Sequence, residues 1–314
     1  MSQADVKTIA KKNAMELLIE TWNRALNLWS PYLRLRDPVF CYSKNEEVAE
    51  KMTSSFAMIR LSDLSVVVSM RQIKDLDLED YIFEIFAHEI GHHVYCPADL
   101  TDLARLLARI RKGLPTLEDR ASLVANLYSD LLINDRLFKD HELPIDKIYQ
   151  KINEPNDDLL WNFYMRIYEI LWSLPRKTLT SIKIDDEMEA DAILANRLIR
   201  HYSNNWLLGA GSFAAICLTY LLKQKGSQVS KNLRVWLDTT HAGEVDMMPH
   251  GLSQMDTDEE GAYQHPALEG RTFNEIDAQI GKTSNSKGNY REPFEYNQIL
   301  KSLGIQMSEL DMAV

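Results

Sequence analysis

The stretch Tyr81-Ile-Phe-Glu-Ile-Phe-Ala-His-Glu-Ile-Gly-His-His93 decides how the fold of this chain is interpreted. An apolar run leads directly into His88-Glu-Ile-Gly-His92, which matches the pattern H-E-x-x-H. Residues i and i+4 lie on one face of an α-helix, so both imidazoles can bind one tetrahedral zinc ion. Glu89 stands one position further along and can reach a water on the metal, whose pKa zinc lowers to about 7. The pattern therefore predicts an active-site helix suited to the attack of water on a peptide carbonyl.

The residues around this motif favour metal binding by His88 and His92 over an ordinary helix with two partly exposed histidines. Gly91 allows another element to approach the helix closely, and Cys96-Pro97 predicts where the helix ends. His93 points about 100° away from its neighbour around the helix. We therefore expect His93 to support the site or the fold and not to bind the metal.

A catalytic zinc usually takes three protein ligands and a water, so a third ligand must come from another segment. Asn126, Asp130 and Asn134 are spaced four residues apart within an otherwise apolar helical pattern. A polar line of this kind needs buried partners, which a metal and its hydrogen-bonded ligands would provide. The spacing predicts Asp130 as a ligand, with Asn126 and Asn134 as its hydrogen-bonding support.

A second segment offers a different third ligand. Glu187 and Asp191 are also i and i+4, so one could bind zinc while the other orients a ligand imidazole. Glu187 could equally be an acid that the helix dipole favours near a helix N-terminus. The spacing alone leaves the third ligand open between Asp130 and Glu187.

The remaining periodicity predicts an α+β fold that is mostly helical, with a small sheet near the N-terminus. An amphipathic helix is expected over 5–29, and β-rich runs follow at 39–42, 56–61 and 64–73. From Leu78 onward the pattern is helical, with Pro and Gly residues between the segments. The expected helices are 79–95, 100–112, 117–139, 145–152, 157–172, 185–202 and 206–224.

Composition divides the chain into a main domain over 1–225 and an acidic, largely irregular extension over 226–314. From Asp238 to Glu260 the sequence has seven carboxylates and no Lys or Arg. Long segments of this kind are solvated or functional. Residues 238–270 are therefore interpreted either as an acidic surface loop or as a lid over the zinc cleft, and a short helix is expected near the end of the chain.

Charge and cysteine content limit the setting in which the chain works. It has 35 Lys and Arg against 46 Asp and Glu, a formal net charge of -11, which argues against nucleic acid as a partner. Three widely spaced cysteines and an N-terminus without signal-peptide features predict the cytoplasm. The uncharged run 202–222 is nearly long enough to cross a bilayer, but we interpret it as a buried helix that packs through Gly209 and Gly211.

With these residues in view, the chain resembles the zincin class of metallopeptidases in two ways. Glu187-Met-Glu-Ala-Asp191 resembles the E-x-x-A-D motif of HtpX-type gluzincins, in which the leading Glu binds zinc and the Asp supports a histidine. That similarity is confined to two motifs. It would make Glu187 the third ligand.

A broader resemblance covers most of residues 80–225 and is to predicted bacterial metallopeptidases that accompany von Willebrand A domains and MoxR-type ATPases. The segments that carry it are His88-Glu-Ile-Gly-His-His93, Ala125-Asn-Leu-Tyr-Ser-Asp-Leu-Leu-Ile-Asn-Asp-Arg136, Tyr164-Met-Arg-Ile-Tyr-Glu-Ile-Leu-Trp172 and Ala190-Asp-Ala-Ile-Leu-Ala-Asn-Arg-Leu198. In that group the Asp that matches Asp130 looks like the third ligand, and the group implies a von Willebrand A or ATPase partner. The chain departs from the group at Asp63-Leu-Ser-Val-Val67, which lacks the second serine of a D-x-S-x-S metal site. We therefore expect a stand-alone protein or the N-terminal part of a longer one.

The motifs predict a zinc endopeptidase that cleaves a protein substrate inside a bacterial cell, with Glu89 as general base. Two alternatives share the metal site: a catalytically silent zincin that binds a protein, and a zinc hydrolase that acts on a small amide. An intact Glu89 argues against the silent form, because only hydrolysis requires that base.

Overall fold

The computed structural model describes residues 3–52 and 55–223, which form helices α1 to α10 and strands β1 to β3. The N-terminal elements are α1 (Gln3–Trp29), β1 (Val39–Cys41), α2 (Lys44–Ala49), β2 (Ala57–Arg60), β3 (Ser65–Ser69) and α3 (Met70–Asp75). The later helices are α4 (Ile82–Val94), α5 (Leu100–Gly113), α6 (Ala121–Asp140), α7 (Ile145–Ile152), α8 (Leu159–Leu171), α9 (Asp186–His201) and α10 (Trp206–Lys223). Short 3-10 turns precede α4 and α6.

Within residues 3–52 and 55–223 the sheet has three strands in the order β1-β3-β2, so among these strands β3 is central and β2 lies at an edge. β1 runs parallel to β3, with Val39 opposite Val67, and β2 runs antiparallel to it, with Ala57 opposite Val68. Val66 to Val68 are buried, as expected of β-branched residues in a strand covered on both faces. The predicted α+β class, mostly helical with a small N-terminal sheet, is confirmed.

The predicted strand over 64–73 is wrong in its second half. The chain leaves the sheet at Ser69, whose side chain accepts a hydrogen bond from the backbone N–H of Gln72 at 3.0 Å and so begins α3. A similar cap at Ser43 begins α2, which the sequence patterns did not predict. At α3 the serine cap prevails over the β-rich run before it, and at α2 Ser43 and Glu46 form a capping box.

The predicted helices from residue 79 onward agree with the structure within a few residues. The segment 145–152, for example, is helix α7 (Ile145–Ile152), and 100–112 is helix α5 (Leu100–Gly113). The proposed division at residue 225 stays a prediction. The acidic extension, the lid predicted over 238–270 and the predicted terminal helix lie outside the described residues.

Helix α1 holds the motif helix α4 in place. The Trp29 indole N–H donates to the Ala87 carbonyl oxygen at 2.8 Å, next to the first histidine of the motif. Two turns earlier on α1, the ring of Trp22 meets that of Phe86 on α4 edge to face, with centroids 5.5 Å apart. The position and rotation of α4 are therefore fixed by aromatic contacts from the N-terminal helix.

Helix α10 is the one described helix that is long and apolar enough to cross a membrane by length and composition, and 67% of its apolar window is buried inside the fold. The close packing predicted for its glycines is present. A Cβ atom on Gly209 would lie 2.5 Å from the Tyr128 hydroxyl oxygen, and one on Gly113 of α5 would collide with the Gly211 carbonyl oxygen. The backbones of α10 and α5 therefore meet at Gly113 and Gly211, whereas Gly209 lets α10 pack against Tyr128 of α6.

Gly91→Ala is expected to destabilise the chain, although alanine normally favours a helix over glycine. A Cβ atom at residue 91 would lie 2.6 Å from Ile133 Cγ2 and 2.9 Å from Trp29 Cζ2, so α6 or α1 would have to shift. Overpacking of this kind costs about 1–3 kcal/mol, which for a chain of this size lowers Tm by several degrees. Thermal unfolding measures the effect. Adding Ile133→Ala should cost less in the Gly91→Ala background than alone, and an unchanged or raised Tm for Gly91→Ala would contradict this contact.

Candidate metal centre

The two motif histidines share one face of α4, as their spacing predicts. Their Nε2 atoms lie 3.2 Å apart, and the rings stand nearly perpendicular to each other. His88 is 6% exposed and His92 is fully buried. Both imidazoles therefore present a nitrogen to the same point inside the protein.

Asp130, on the neighbouring helix α6, completes a group of three candidate ligand atoms. Its Oδ1 atom lies 3.7 Å from His88 Nε2 and 3.5 Å from His92 Nε2, and the carboxylate is fully buried. A tetrahedral zinc with bonds of about 2.0–2.1 Å separates its ligands by about 3.3–3.4 Å. Within the part of the chain that the structure describes, His88, His92 and Asp130 are the group that could hold a metal ion.

The second ring nitrogen of each histidine is engaged elsewhere. His88 Nδ1 lies 2.8 Å from Asn134 Oδ1, and His92 Nδ1 lies 3.1 Å from the Cys96 carbonyl oxygen. Both oxygens are acceptors, so each Nδ1 carries the proton and each Nε2 keeps its lone pair. Two lone pairs 3.2 Å apart, facing a carboxylate, form a site for a cation.

Asn126 orients the Asp130 carboxylate. Its amide Nδ2 donates to Asp130 Oδ2 at 3.1 Å, one helical turn away on α6. The other oxygen, Oδ1, is the one that faces the two imidazoles. The carboxylate could thus bind an ion through a single oxygen, and Asn126 lies in hydrogen-bond contact with it.

Two buried tyrosines hold Asn134, and a third supports them. Its Nδ2 donates to the hydroxyl oxygens of Tyr149 at 3.1 Å and Tyr168 at 2.9 Å, and Tyr164 and Tyr168 share a hydrogen bond of 2.8 Å. Burial, with a smaller contribution from the negative charge of Asp130, raises the pKa of Tyr164 and Tyr168, so their hydroxyls stay protonated. The amide of Asn134 is therefore fixed with its oxygen toward His88.

The sequence patterns did not identify these tyrosines as part of the site. Tyr164 and Tyr168 are i and i+4 on the apolar helix α8, the same signal that drew attention to Asp130. Tyr149 lies on a separate helix, α7, and nothing local connects it with the site. The first pair could have been found from the sequence, and the third required the packing of the helices.

His93 does not join the metal-ligand group. It is half-buried, and its Nδ1 lies 3.1 Å from the Ala98 carbonyl oxygen. This contact ties the end of α4 to the loop that follows it. The predicted role of His93 in supporting the site or the fold stays a prediction.

The alternative ligand segment lies in a different environment. Glu187 contacts Lys223 Nζ at 2.9 Å, and Asp191 accepts a hydrogen bond from the Tyr220 hydroxyl at 2.7 Å. Both contacts join α9 to α10. Among the described residues, neither carboxylate belongs to the group that contains His88 and His92.

Glu89 lies at a pocket beside the metal-ligand group. The side chain is almost fully buried, with 1% exposure. The pocket opens between α4, α7 and the segment that leads into β2, and the residues that line it are Ser55, Phe56, Glu84, Ile85, His88, Glu89, Asn134, Ile145 and Ile148. A substrate group in this pocket would lie next to both a candidate ligand and the candidate base.

No protein-family model matches the chain, and comparisons with curated proteins and with solved structures give no match. The site is therefore interpreted from its own geometry. That geometry defines an α+β protein whose described part contains a buried His88-His92-Asp130 group able to hold a metal ion.

Proposed function

We propose that this chain is a zinc-dependent peptidase with a zincin-like fold. The observation that carries the proposal is the buried His88-His92-Asp130 group beside Glu89. It combines three ligand atoms with a carboxylate one residue from the first ligand, which is the set of groups that metal-assisted hydrolysis requires. Asp130 serves as the third ligand and Glu89 as the general base.

Zinc fits this donor set on three grounds. Imidazole nitrogens and a carboxylate oxygen are ordinary zinc ligands, and their separations of 3.2–3.7 Å are close to those of a tetrahedral ion. A fully buried carboxylate is costly in a protein interior unless a positive charge compensates it. A divalent cation between the three groups would supply that charge.

The protein groups around the ion have separate tasks in the proposed reaction. Zinc, when bound, supplies a Lewis acid that activates water and polarises the substrate carbonyl. Glu89 accepts a proton from the attacking water and can return it to the leaving amine. Asn134 and the Cys96 carbonyl keep His88 and His92 in the tautomer that leaves each Nε2 free to bind.

A peptide is the substrate that the surroundings favour over a small amide. The edge strand β2 packs near α4, and the residues that precede it, Ser55 and Phe56, line the pocket. An edge strand offers unpaired backbone groups to which an extended peptide can add. The bacterial cytoplasm, the protein substrate and a von Willebrand A or ATPase partner stay predictions from the sequence.

The test is a metal analysis combined with a cleavage assay on the full chain. We expect one zinc per chain, cleavage of casein, loss of cleavage after treatment with 1,10-phenanthroline and recovery when zinc is added. Quantifying iron in the same sample separates zinc from Fe(II), which two histidines and a carboxylate also bind. A metal-free protein purified without chelators, or a zinc-loaded protein that cleaves neither casein nor a small amide, would contradict the proposal.

A further inference from the structure

One polar group in the pocket has no role in holding the metal ligands. His88 and Asn134 belong to the metal centre, Glu89 is the candidate base, and Ser55 bonds to the backbone of Ala57. Glu84 is the carboxylate that remains. It lies on α4 four residues before His88, so the two side chains share one face and their Cβ atoms are about 5–6 Å apart.

One oxygen of the Glu84 carboxylate is not hydrogen-bonded within the described residues. Its Oε2 atom is shielded from solvent and accepts no hydrogen bond from the residues in the described ranges. Burial raises the pKa of Glu84, and a hydrogen bond from its own backbone N–H and the positive charge of Arg24 on α1 offset that only in part. A carboxylate kept at this cost beside a candidate active site is a candidate for a functional role.

The size and the lining of the pocket indicate what such a carboxylate would bind. Its interior is about the size of one water molecule, so a single small group fits there and a whole side chain does not. A positively charged group in that space would form a charge-assisted hydrogen bond with Glu84. Phe56, Ile85, Ile145 and Ile148 line the pocket, so the carbon atoms next to the cation would be in apolar contact, as in a Lys or Arg side chain or at a peptide N-terminus.

We propose that Glu84 binds a positively charged group of the substrate next to the scissile bond. This inference rests on the peptidase proposal, because a substrate with a scissile bond exists only if the chain is a peptidase. The cation could be a Lys or Arg side chain or the free N-terminal ammonium of a peptide. The chemistry is the same in both cases, and the experiment separates them.

Three small probes test the binding itself, without hydrolysis. N-acetyl-lysine amide carries a side-chain cation, norleucine amide carries an N-terminal cation, and N-acetyl-norleucine amide carries neither. Their dissociation constants are measured by calorimetry or NMR on the zinc-loaded and zinc-free full chain. One of the two cationic probes should bind roughly tenfold or more tightly than the neutral one, and which one does identifies the source of the cation.

The variant Glu84→Gln removes the charge and keeps the shape, so the preference for the cationic probe should fall to about onefold. Glu79→Gln is the matched control, because it makes the same charge change at an exposed position on the turn before α4. It should keep the full preference. Equal binding of all three probes to the unmodified chain, or a preference that survives Glu84→Gln, would overturn the assignment.

Cleavage sites in casein, mapped by mass spectrometry, distinguish failure of this inference from failure of the peptidase proposal. We expect cuts next to Lys or Arg, or close to free N-termini, and loss of that bias in Glu84→Gln. Cleavage without such a bias refutes the role of Glu84 and keeps the peptidase. Binding of the cationic probe through Glu84 without any cleavage refutes the peptidase and keeps the cation site.

Discussion

Glu89→Gln should lower the rate of peptide hydrolysis by about 10²–10⁴-fold, the range that a general base contributes. The glutamine amide has the size of the carboxylate but cannot accept a proton at neutral pH. Because Glu89 is almost fully buried beside the pocket, no bulk water can easily replace it as the base. The measurement is kcat/KM for casein or for a fluorogenic peptide derived from it.

Zinc content decides how the loss of activity in Glu89→Gln is interpreted. Glu89 lies outside the His88-His92-Asp130 group, so the variant should keep one zinc per chain. His88→Ala is the contrasting variant, because it removes a ligand and should lose both zinc and activity. Full activity in Glu89→Gln would show that another group acts as the base, and the pocket beside His88 would then have to be assigned a different task.

Most helices of this fold could be predicted from the sequence because their signals are local. Asp158 and Asp185 are typical helix N-caps, and each accepts a hydrogen bond from a backbone N–H three residues later. The apolar periodicity of α4 and α8 was equally clear. The short helix α2 was missed because six residues are too few to show a helical period. The segment of α3 was predicted as strand because a single capping serine competes there with β-rich neighbours.

In the candidate site, too, the features set by local spacing could be predicted and those set by helix packing could not. The i, i+4 spacing of His88 and His92 on one helix is enough to bring two imidazoles together. The choice between Asp130 and Glu187 was open, because it depends on which helix packs against α4. In the structure that helix is α6, which carries Asp130, whereas Glu187 pairs with Lys223 on α10. No pattern within one helix contains that information.

The supporting residues show a similar division. Asn126 and Asn134 were predicted, since they continue the polar line of Asp130 along one face of α6. The tyrosines that hold Asn134 come from α7 and α8, and they converge only because those helices pack around the end of α6. Positions that are polar only at the tip of an aromatic ring resemble core residues in any periodicity analysis.

Asp130→Ala is expected to weaken zinc binding far more than Glu187→Ala does. The Asp130 carboxylate is fully buried with one oxygen 3.5–3.7 Å from both imidazole nitrogens, so its removal deletes a ligand and the only negative charge of the group. Changes to residues that support ligands typically cost 10–100-fold in metal affinity, and loss of a ligand should exceed that range. Glu187 is partly exposed and paired with Lys223, so Glu187→Ala should leave zinc affinity within a few-fold of the unmodified chain.

Asn126→Ala supplies the intermediate case in this series. It removes the hydrogen bond that holds Asp130 Oδ2 while leaving all three ligand atoms in place, so affinity should fall by about 10–100-fold. Competition with a chromophoric chelator measures all three variants on one scale, and zinc-dependent stabilisation against heat gives an independent ranking. The order Asp130→Ala, Asn126→Ala, Glu187→Ala from weakest to tightest binding is the expected result. If Glu187→Ala bound zinc most weakly, the third ligand would belong to α9, and the packing of α6 against α4 would have to serve the fold alone.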